Sequence, residues 1–479
     1  MPEPARRTLV HGGTLVTSAG VAAADVRFVD GAVAAIGALD PEPGDALVDA
    51  SGCFVLPGGV DFHTHIDAVF RGSIRTADDW RTGSAAAAAG GTTTVIDFCS
   101  PGPDQPLAEA LAGWRARVEE QGPLVDYGAH VILVQPGEER LAELAELPGL
   151  GVSSVKLYLA YPGRVMSDDR ALFRTLQRAA ELGLLVLVHA ENGHAIDVLV
   201  EEALESGEVE PEWHGHTRPP LTEAEAVSRA TALARLAEAE LYVVHLSSER
   251  ALAELRRARA DGGRVHGETC SHYLVLDESL LIGAPREEAA KFVCSPPART
   301  RDDQAELWAA LGDGGLDVLA SDHCPFVLHG EKIVDGDFTH IMNGLPGVEQ
   351  RLLIGYSGVE RGVYPIERLV EIASAEPARL AGIYPRKGDL RVGSDADAVI
   401  LDPAVRTRFS AETHHSAVDY LPYEGMEVPG RIRDVFVRGR AVVADGRLLD
   451  GPGDGRFLAR ATRSGDPSAL PASDEGDTP

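Results

Sequence analysis

Residues 58–67 read GGVDFHTHID: two glycines, a short apolar run and a His-x-His pair, His63 and His65. Taken as one strand over residues 54–65 (FVLPGGVDFHTH), the run sends side chains two apart to the same side, so both imidazoles share a face. Two imidazoles on one face can grip a metal ion. They can equally be a pair of partly buried polar groups at a strand end. The rest of the chain bears on the choice, because the pattern of apolar run and polar terminus recurs. Further runs are TTTVIDF (92–98), DYGAHVILV (126–134), SSVKLYLAY (153–161), LLVLVHAE (184–191), LYVVHLSS (241–248), VHGETCSHYL (265–274) and LDVLASDHC (316–324). Between them lie amphipathic stretches such as 106–122, 168–183, 222–240 and 247–263, with apolar residues at three- and four-residue steps. Eight near-continuously apolar strands alternating with helices predict an α/β fold, a parallel sheet closed as a (β/α)8 TIM-type barrel. An open doubly wound sheet is the alternative.

In a barrel of this kind the active site lies at the C-terminal ends of the strands. His63 and His65 end strand one, Lys156 lies in strand four, His189 ends strand five, His245 ends strand six and Asp322 ends strand eight. One such residue means little, since a buried histidine with a satisfied hydrogen bond is common. Six ionisable groups at one mouth are hard to explain as packing, because each costs free energy unless paired. Ten of the sixteen histidines, His130 and His214 among them, are scattered and read as ordinary. His272 and His323 flank strand ends beside better candidates and are left out as ligands. Imidazole and carboxylate donors without thiolate suit a catalytic Zn²⁺, with Mn²⁺, Fe²⁺ or Co²⁺ as alternatives. Four histidines and one aspartate are many for one catalytic zinc and few for two metals, unless something bridges. Lys156 is either a salt-bridged or snorkelling lysine or, carboxylated on its amine, an anionic bridging ligand.

The ends of the chain differ from its middle. Residues 1–56 and 383–465 carry short apolar runs broken by Gly and Asp, which suits hairpins. They predict one small β-sandwich domain built from both termini, around a catalytic barrel of residues 57–382. Residues 466–479, rich in Pro, Ser and Asp, read as a mobile acidic tail. With 479 residues, 44% hydrophobic and 25% charged, the chain has an ordinary globular balance. Its net charge of -30 repels nucleic acid and anionic membrane, so neither is an expected partner. Five scattered cysteines without a C-x-x-C pair, no apolar signal core and no run long enough to span a bilayer predict a cytoplasmic protein.

The ordered motifs GGVDFHTH, GTTTVIDF, SSVKLYLAY, HAENG, VVHLSS, GETCSHYL, CSPPAR, SDHCPF and NGLPGVEQRL run through nearly the whole chain. With them the sequence resembles the dihydropyrimidinase and D-hydantoinase branch of the metal-dependent cyclic amidohydrolases. The resemblance implies two zinc ions per subunit: His63 and His65 on one, His189 and His245 on the other, carboxylated Lys156 between them, and Asp322 both ligating the first and handling the proton. It implies that Tyr161 supports the oxyanion and that backbone groups of Ser295 and Asn343 hold the ring amide. The implied reaction is hydrolytic opening of a cyclic ureide, a dihydropyrimidine or a 5-substituted hydantoin, to an N-carbamoyl amino acid by a metal-bridged hydroxide. The implied assembly is a homotetramer or homodimer.

Related enzymes open other rings. Dihydroorotase-like sites usually carry an arginine two residues after the His-x-His pair, where this chain has Asp67. Allantoinase, or another cyclic-imide hydrolase, is the alternative, although CSPP and NGLPGVE fit the dihydropyrimidinase branch better. Non-catalytic scaffold relatives have lost metal ligands, whereas all six positions are filled here. Loops 68–79 and 161–169 are expected to shape the pocket for the ring substituent, and Val69, Arg71 and Pro162 depart from the usual pattern there. Arg71 is expected either to meet a polar or anionic substituent or to face solvent.

Overall fold

The structure is a computed structural model that describes residues 6–462; the expected tail lies outside the described residues. The run 54–65 divides at Gly58. Phe54–Pro57 pairs antiparallel with Ala398–Leu401 and parallel with Thr14–Leu15. Gly59–Thr64 is the first barrel strand, β1. The single strand expected here is two strands serving two sheets. The glycines are there for close approach: a Cβ on Gly58 would lie 2.0 Å from Thr93 Oγ1, and one on Gly59 2.9 Å from the Gly91 carbonyl oxygen.

The other barrel strands are β2 (Thr92–Cys99), β3 (Asp126–Ile132), β4 (Ser154–Tyr158), β5 (Leu185–His189), β6 (Leu241–Val243), β7 (Val265–Cys270) and β8 (Val318–Ala320). Each pairs in parallel with its neighbour in sequence. The ring closes where Thr64 bridges in parallel to His323, and the His65 N–H donates to the His323 carbonyl at 2.8 Å. The expected barrel is therefore present, and the open sheet is not. β4 and β5 are buried almost throughout, as strands covered on both faces should be.

Helices 107–121, 169–182, 220–236 and 249–260 stand where periodicity placed them. The third begins two residues earlier than expected, with Pro220 in its first turn, and stops at Leu236 because Glu238 takes a left-handed φ of 53°. Asp168 accepts from the Ala171 N–H at 2.8 Å and Ser248 from the Ala251 N–H at 3.3 Å, caps worth about 1 kcal/mol each. They also fix where the loops leaving β4 and β6 end.

Strands from both chain ends make two further sheets. One orders 32–37, 25–29, 7–11 and 45–49; the other orders 447–448, 440–444, 427–437, 398–408, 54–57, 14–17 and 20–23. Val10, Val26 and Phe28 from the chain start share a buried cluster with Ala398, Ile400 and Phe436 from its end. Lys387 ties this region to the barrel, reaching Asp126 at 2.6 Å and Asp397 at 2.7 Å.

Candidate active site

The strands bring all six candidate ligands to one mouth. His63, His65, Lys156, His189 and His245 are buried, and the Asp322 side chain is 14% exposed. Asp322 Oδ1 lies 3.2 Å from both His63 Nε2 and His65 Nε2. His189 Nδ1 faces His245 Nε2 at 2.8 Å. The two groups adjoin: the His63 and His245 rings stack with centroids 5.5 Å apart, and Lys156 Nζ lies 3.4 Å from His63 Nε2. Tyr161, His245 and Asp322 hold left-handed φ values of 66°, 39° and 47°. Such backbone costs about 1–3 kcal/mol per residue and persists where surrounding structure over-determines it. Here it turns three side chains inward just past their strand ends.

Further carboxylates orient these groups. His63 Nδ1 is bonded to Glu268 on β7, whose other oxygen accepts from the Tyr242 hydroxyl at 2.6 Å. His189 Nε2 meets Glu191 at 2.9 Å. Asp97 accepts from the Thr64 hydroxyl and the Ile66 N–H at 2.7 and 2.8 Å, bracketing His65, and burial pushes its carboxyl up to about 7. Burial also drives His65 down to about 4 and lowers His189 and His245, which favours their neutral imidazoles. Burial alone would raise Asp322, but His63 and His65 hold it well below the usual carboxylate range. Burial lowers the Lys156 amine to about 8.

His63, His65 and Asp322 each offer one donor atom, all within 4.8 Å of one another, and so could hold one cation. His189 and His245 offer two more nitrogens at one point. The set fits divalent cations: imidazole and carboxylate donors, no thiolate, with the His63 and His189 rings each backed by a carboxylate, Glu268 and Glu191.

Beside this centre runs a polar ridge. Asn343 Nδ2 donates to Ser295 Oγ at 3.1 Å, the Tyr161 hydroxyl lies on the Ser295 side of the mouth, and the Tyr161 ring lies 5.4 Å from that of His189. Burial raises the Tyr161 hydroxyl to about 12. The structure thus gathers all nine candidate residues. His214, read as ordinary, supports the ridge: its Nε2 meets the Cys294 carbonyl at 2.8 Å and Ser295 Oγ at 3.2 Å. His130 is a core histidine bonded to Ser154 and the Phe62 carbonyl. His323 bonds Asp78 at 2.9 Å and stays out of the centre. The residues missed from sequence are Glu268, Glu191 and His214. For Glu268 the signal was a lone carboxylate in an apolar strand, VHGETC.

Arg71 is exposed, as one of the two expectations had it, and its guanidinium is tied to backbone rather than to a ring substituent. It donates to the carbonyls of Thr339, His340 and Ile341 at 2.9, 3.0 and 3.2 Å. Asp67 is bound by Arg75 and Gln121, so the position two after the His-x-His pair holds a paired carboxylate rather than an arginine.

Comparison with known proteins matches the description "Amidohydrolase family" over residues 54–442. A D-hydantoinase from Streptomyces coelicolor is 46% identical over 95% of this chain and 98% of its own length. The chain belongs to the amidohydrolase family, in its dihydropyrimidinase and D-hydantoinase branch. A D-hydantoinase from Geobacillus stearothermophilus is 45% identical, covering 95% of this chain and 96% of its own. The crystal structure of a dihydropyrimidinase from Brevibacillus agri superposes with a TM-score of 0.91 at 42% identity, over 95% of this chain and 99% of that one. This amidohydrolase therefore shares its barrel and its sheet region with those relatives over nearly its full length. No helix among its described residues is long and apolar enough to cross a membrane.

Proposed function

We propose that this amidohydrolase opens cyclic ureide rings, 5-substituted hydantoins and 5,6-dihydropyrimidines, to N-carbamoyl amino acids. One observation carries the reading: a single barrel mouth holds His63, His65 and Asp322 beside His189 and His245, with Lys156 Nζ 3.4 Å from His63 Nε2 and Tyr161, Ser295 and Asn343 alongside. In this reading His63, His65 and Asp322 would hold one Zn²⁺, His189 and His245 would hold another, and Lys156, once carboxylated, would serve both. With its pKa lowered to about 8, Lys156 offers a free amine that adds carbon dioxide. A C–N bond forms, one proton leaves to solvent, and the carbamate gains two ligand oxygens.

When bound, the pair of cations supplies Lewis-acid polarisation and an acidified water at neutral pH. Asp322, kept ionised, takes the proton from the attacking water and returns it to the ring nitrogen as the C–N bond breaks. The Tyr161 hydroxyl, kept protonated, donates to the carbonyl oxygen as it gains charge. Backbone groups of Ser295 and Asn343 hold the ring amide in register. The same reading carries a homodimer or homotetramer in the cytoplasm, and the five free, buried cysteines suit a reducing setting.

The test is ring opening by protein stripped with a chelator and reloaded with Zn²⁺ in bicarbonate buffer. Dihydrouracil and both enantiomers of a 5-substituted hydantoin are compared, and the D-hydantoin is expected to be fastest, as the names of the two relatives suggest. Chelator-sensitive formation of the N-carbamoyl product is expected. A metal-loaded protein that opens neither ring overturns the reading, and turnover of allantoin alone replaces it with the alternative.

A further inference from the structure

The loops carrying Ser295 and Asn343 meet over a buried lysine that takes no part in the chemistry above. Lys332 is 0% exposed. Its ammonium donates to the carbonyls of Val293 at 2.6 Å, Met342 at 2.8 Å and Gly344 at 3.0 Å. An ammonium has three donors, so all are engaged. Its titratable neighbours are the thiols of Cys294 and Cys324 and the His214 imidazole. Burial lowers the amine to about 7, and the three carbonyl dipoles oppose that cost.

The acceptors bracket the ridge. Val293 lies two residues before Ser295, and Met342 and Gly344 flank Asn343 on either side. Backbone bonds reinforce the junction: the Gly344 N–H donates to the Val293 carbonyl at 3.2 Å and the Met342 N–H to the Glu331 carbonyl at 3.0 Å. Gly344 also presses on Cys324 at the end of strand eight, where a Cβ would lie 2.5 Å from the Cys324 carbonyl oxygen. The Asn343 loop is also tied to the end of strand eight, where the Cys324 N–H donates to the Leu345 carbonyl at 2.9 Å, and the lysine bonds add the link from there to Val293.

We propose that Lys332 is a positioning residue for ring recognition: by gripping the Val293, Met342 and Gly344 carbonyls it sets Ser295 against Asn343. The proposal rests on the role given to those two residues in the proposed function. The test uses the full chain loaded with Zn²⁺ and carrying Lys332→Met, which removes the donors, or Lys332→Gln, which keeps two. Metal content, KM and kcat are measured, together with hydrogen exchange of peptides spanning 293–295 and 342–344 without substrate. Lys332→Met is expected to keep its metal, to raise KM and lower kcat/KM by roughly 10- to 100-fold, and to exchange faster in both peptides. Lys332→Gln should recover part of each. A folded Lys332→Met protein whose KM and exchange match the parent overturns the proposal. So does loss of metal with faster exchange throughout, which marks general core support. If Lys332→Met does not fold, Lys332→Gln decides by the same readouts, and failure of both to fold overturns it as well. If the parent opens no cyclic ureide, the functional reading fails, while exchange still decides whether Lys332 holds the two loops.

Discussion

Glu268 shows how much one side chain can organise. It sits fully buried on β7, bonds His63 Nδ1, accepts from the Tyr242 hydroxyl at 2.6 Å and from the His245 N–H at 3.1 Å. It therefore orients one residue from each half of the candidate metal centre. A carboxylate behind a ligating imidazole fixes the tautomer and makes the ring a better donor. Glu268→Gln keeps the shape and removes the charge. The expected result is a roughly 10- to 100-fold loss of metal affinity, read by competition with a chelator. Unchanged affinity would mean that backbone geometry alone holds His63. Tyr161 supports a second expectation. Tyr161→Phe removes one donor to the oxyanion and should lower kcat roughly 10²- to 10³-fold with metal content unchanged. A fall in metal content instead would place Tyr161 among the structural supports of His189.

At the scale of elements, the hairpin of Val69–Phe70 and Ile74–Arg75 closes one side of the mouth. Phe70 packs edge-on against His65 at 5.7 Å and against Phe326 at 5.6 Å. Arg71, at the turn with a φ of 48°, fastens the hairpin to the carbonyls of Thr339–Ile341. A guanidinium suits this task because its planar fork reaches several acceptors at once. Arg71→Ala frees the hairpin from the Asn343 loop. Since Phe70 faces the space beside His65, the change should fall on the substituent. The ratio of kcat/KM between a bulky and a small 5-substituted hydantoin is expected to shift several-fold, while dihydrouracil changes little. Equal losses on all three would show that the clamp serves the ring instead.

Across the whole molecule, barrel and terminal sheets are joined by charge as well as by apolar packing. Lys387 reaches Asp126 at the start of β3, Asp395 at 3.0 Å and Asp397 at 2.7 Å, and Arg438 pairs with Asp126 from the other side. Lys387→Met strands these carboxylates with one cation fewer, and the expected cost is about 3–5 kcal/mol in urea unfolding. The acid limb carries a further signature. Burial would raise Asp126, but Lys387 and Arg438 bring it down to about 2 from an ordinary 3.8. A carboxyl whose folded pKa is depressed contributes its stability above the ordinary value and loses it as pH falls through the folded one. Asp397, raised by its burial, opposes this in part. The Lys387→Met protein should therefore lose less stability than the parent between pH 4 and pH 2. A parallel decline would place the acid sensitivity elsewhere.

The eight strands, the helices between them and the six polar strand ends were legible in the sequence alone. Apolar periodicity is a local property, and a barrel sends its active groups to the strand C-termini by rule. Even the ends of helices came within a few residues, because caps and breakers such as Asp168 and Pro220 are local too. What was not legible is a matter of partners. Glu268 is 205 residues from the histidine it orients, and Arg71 is 268 from the first carbonyl it holds. Lys332 bonds only to backbone oxygens, which every residue carries and no sequence pattern marks. The division of 54–65 into two strands likewise depended on which distant chain lay alongside, Ala398–Leu401 for one half and β2 for the other. The chain by itself determined its elements and where its candidate site sits. Only the closed barrel, bringing distant loops within hydrogen-bond reach, decided which side chains hold that site in place.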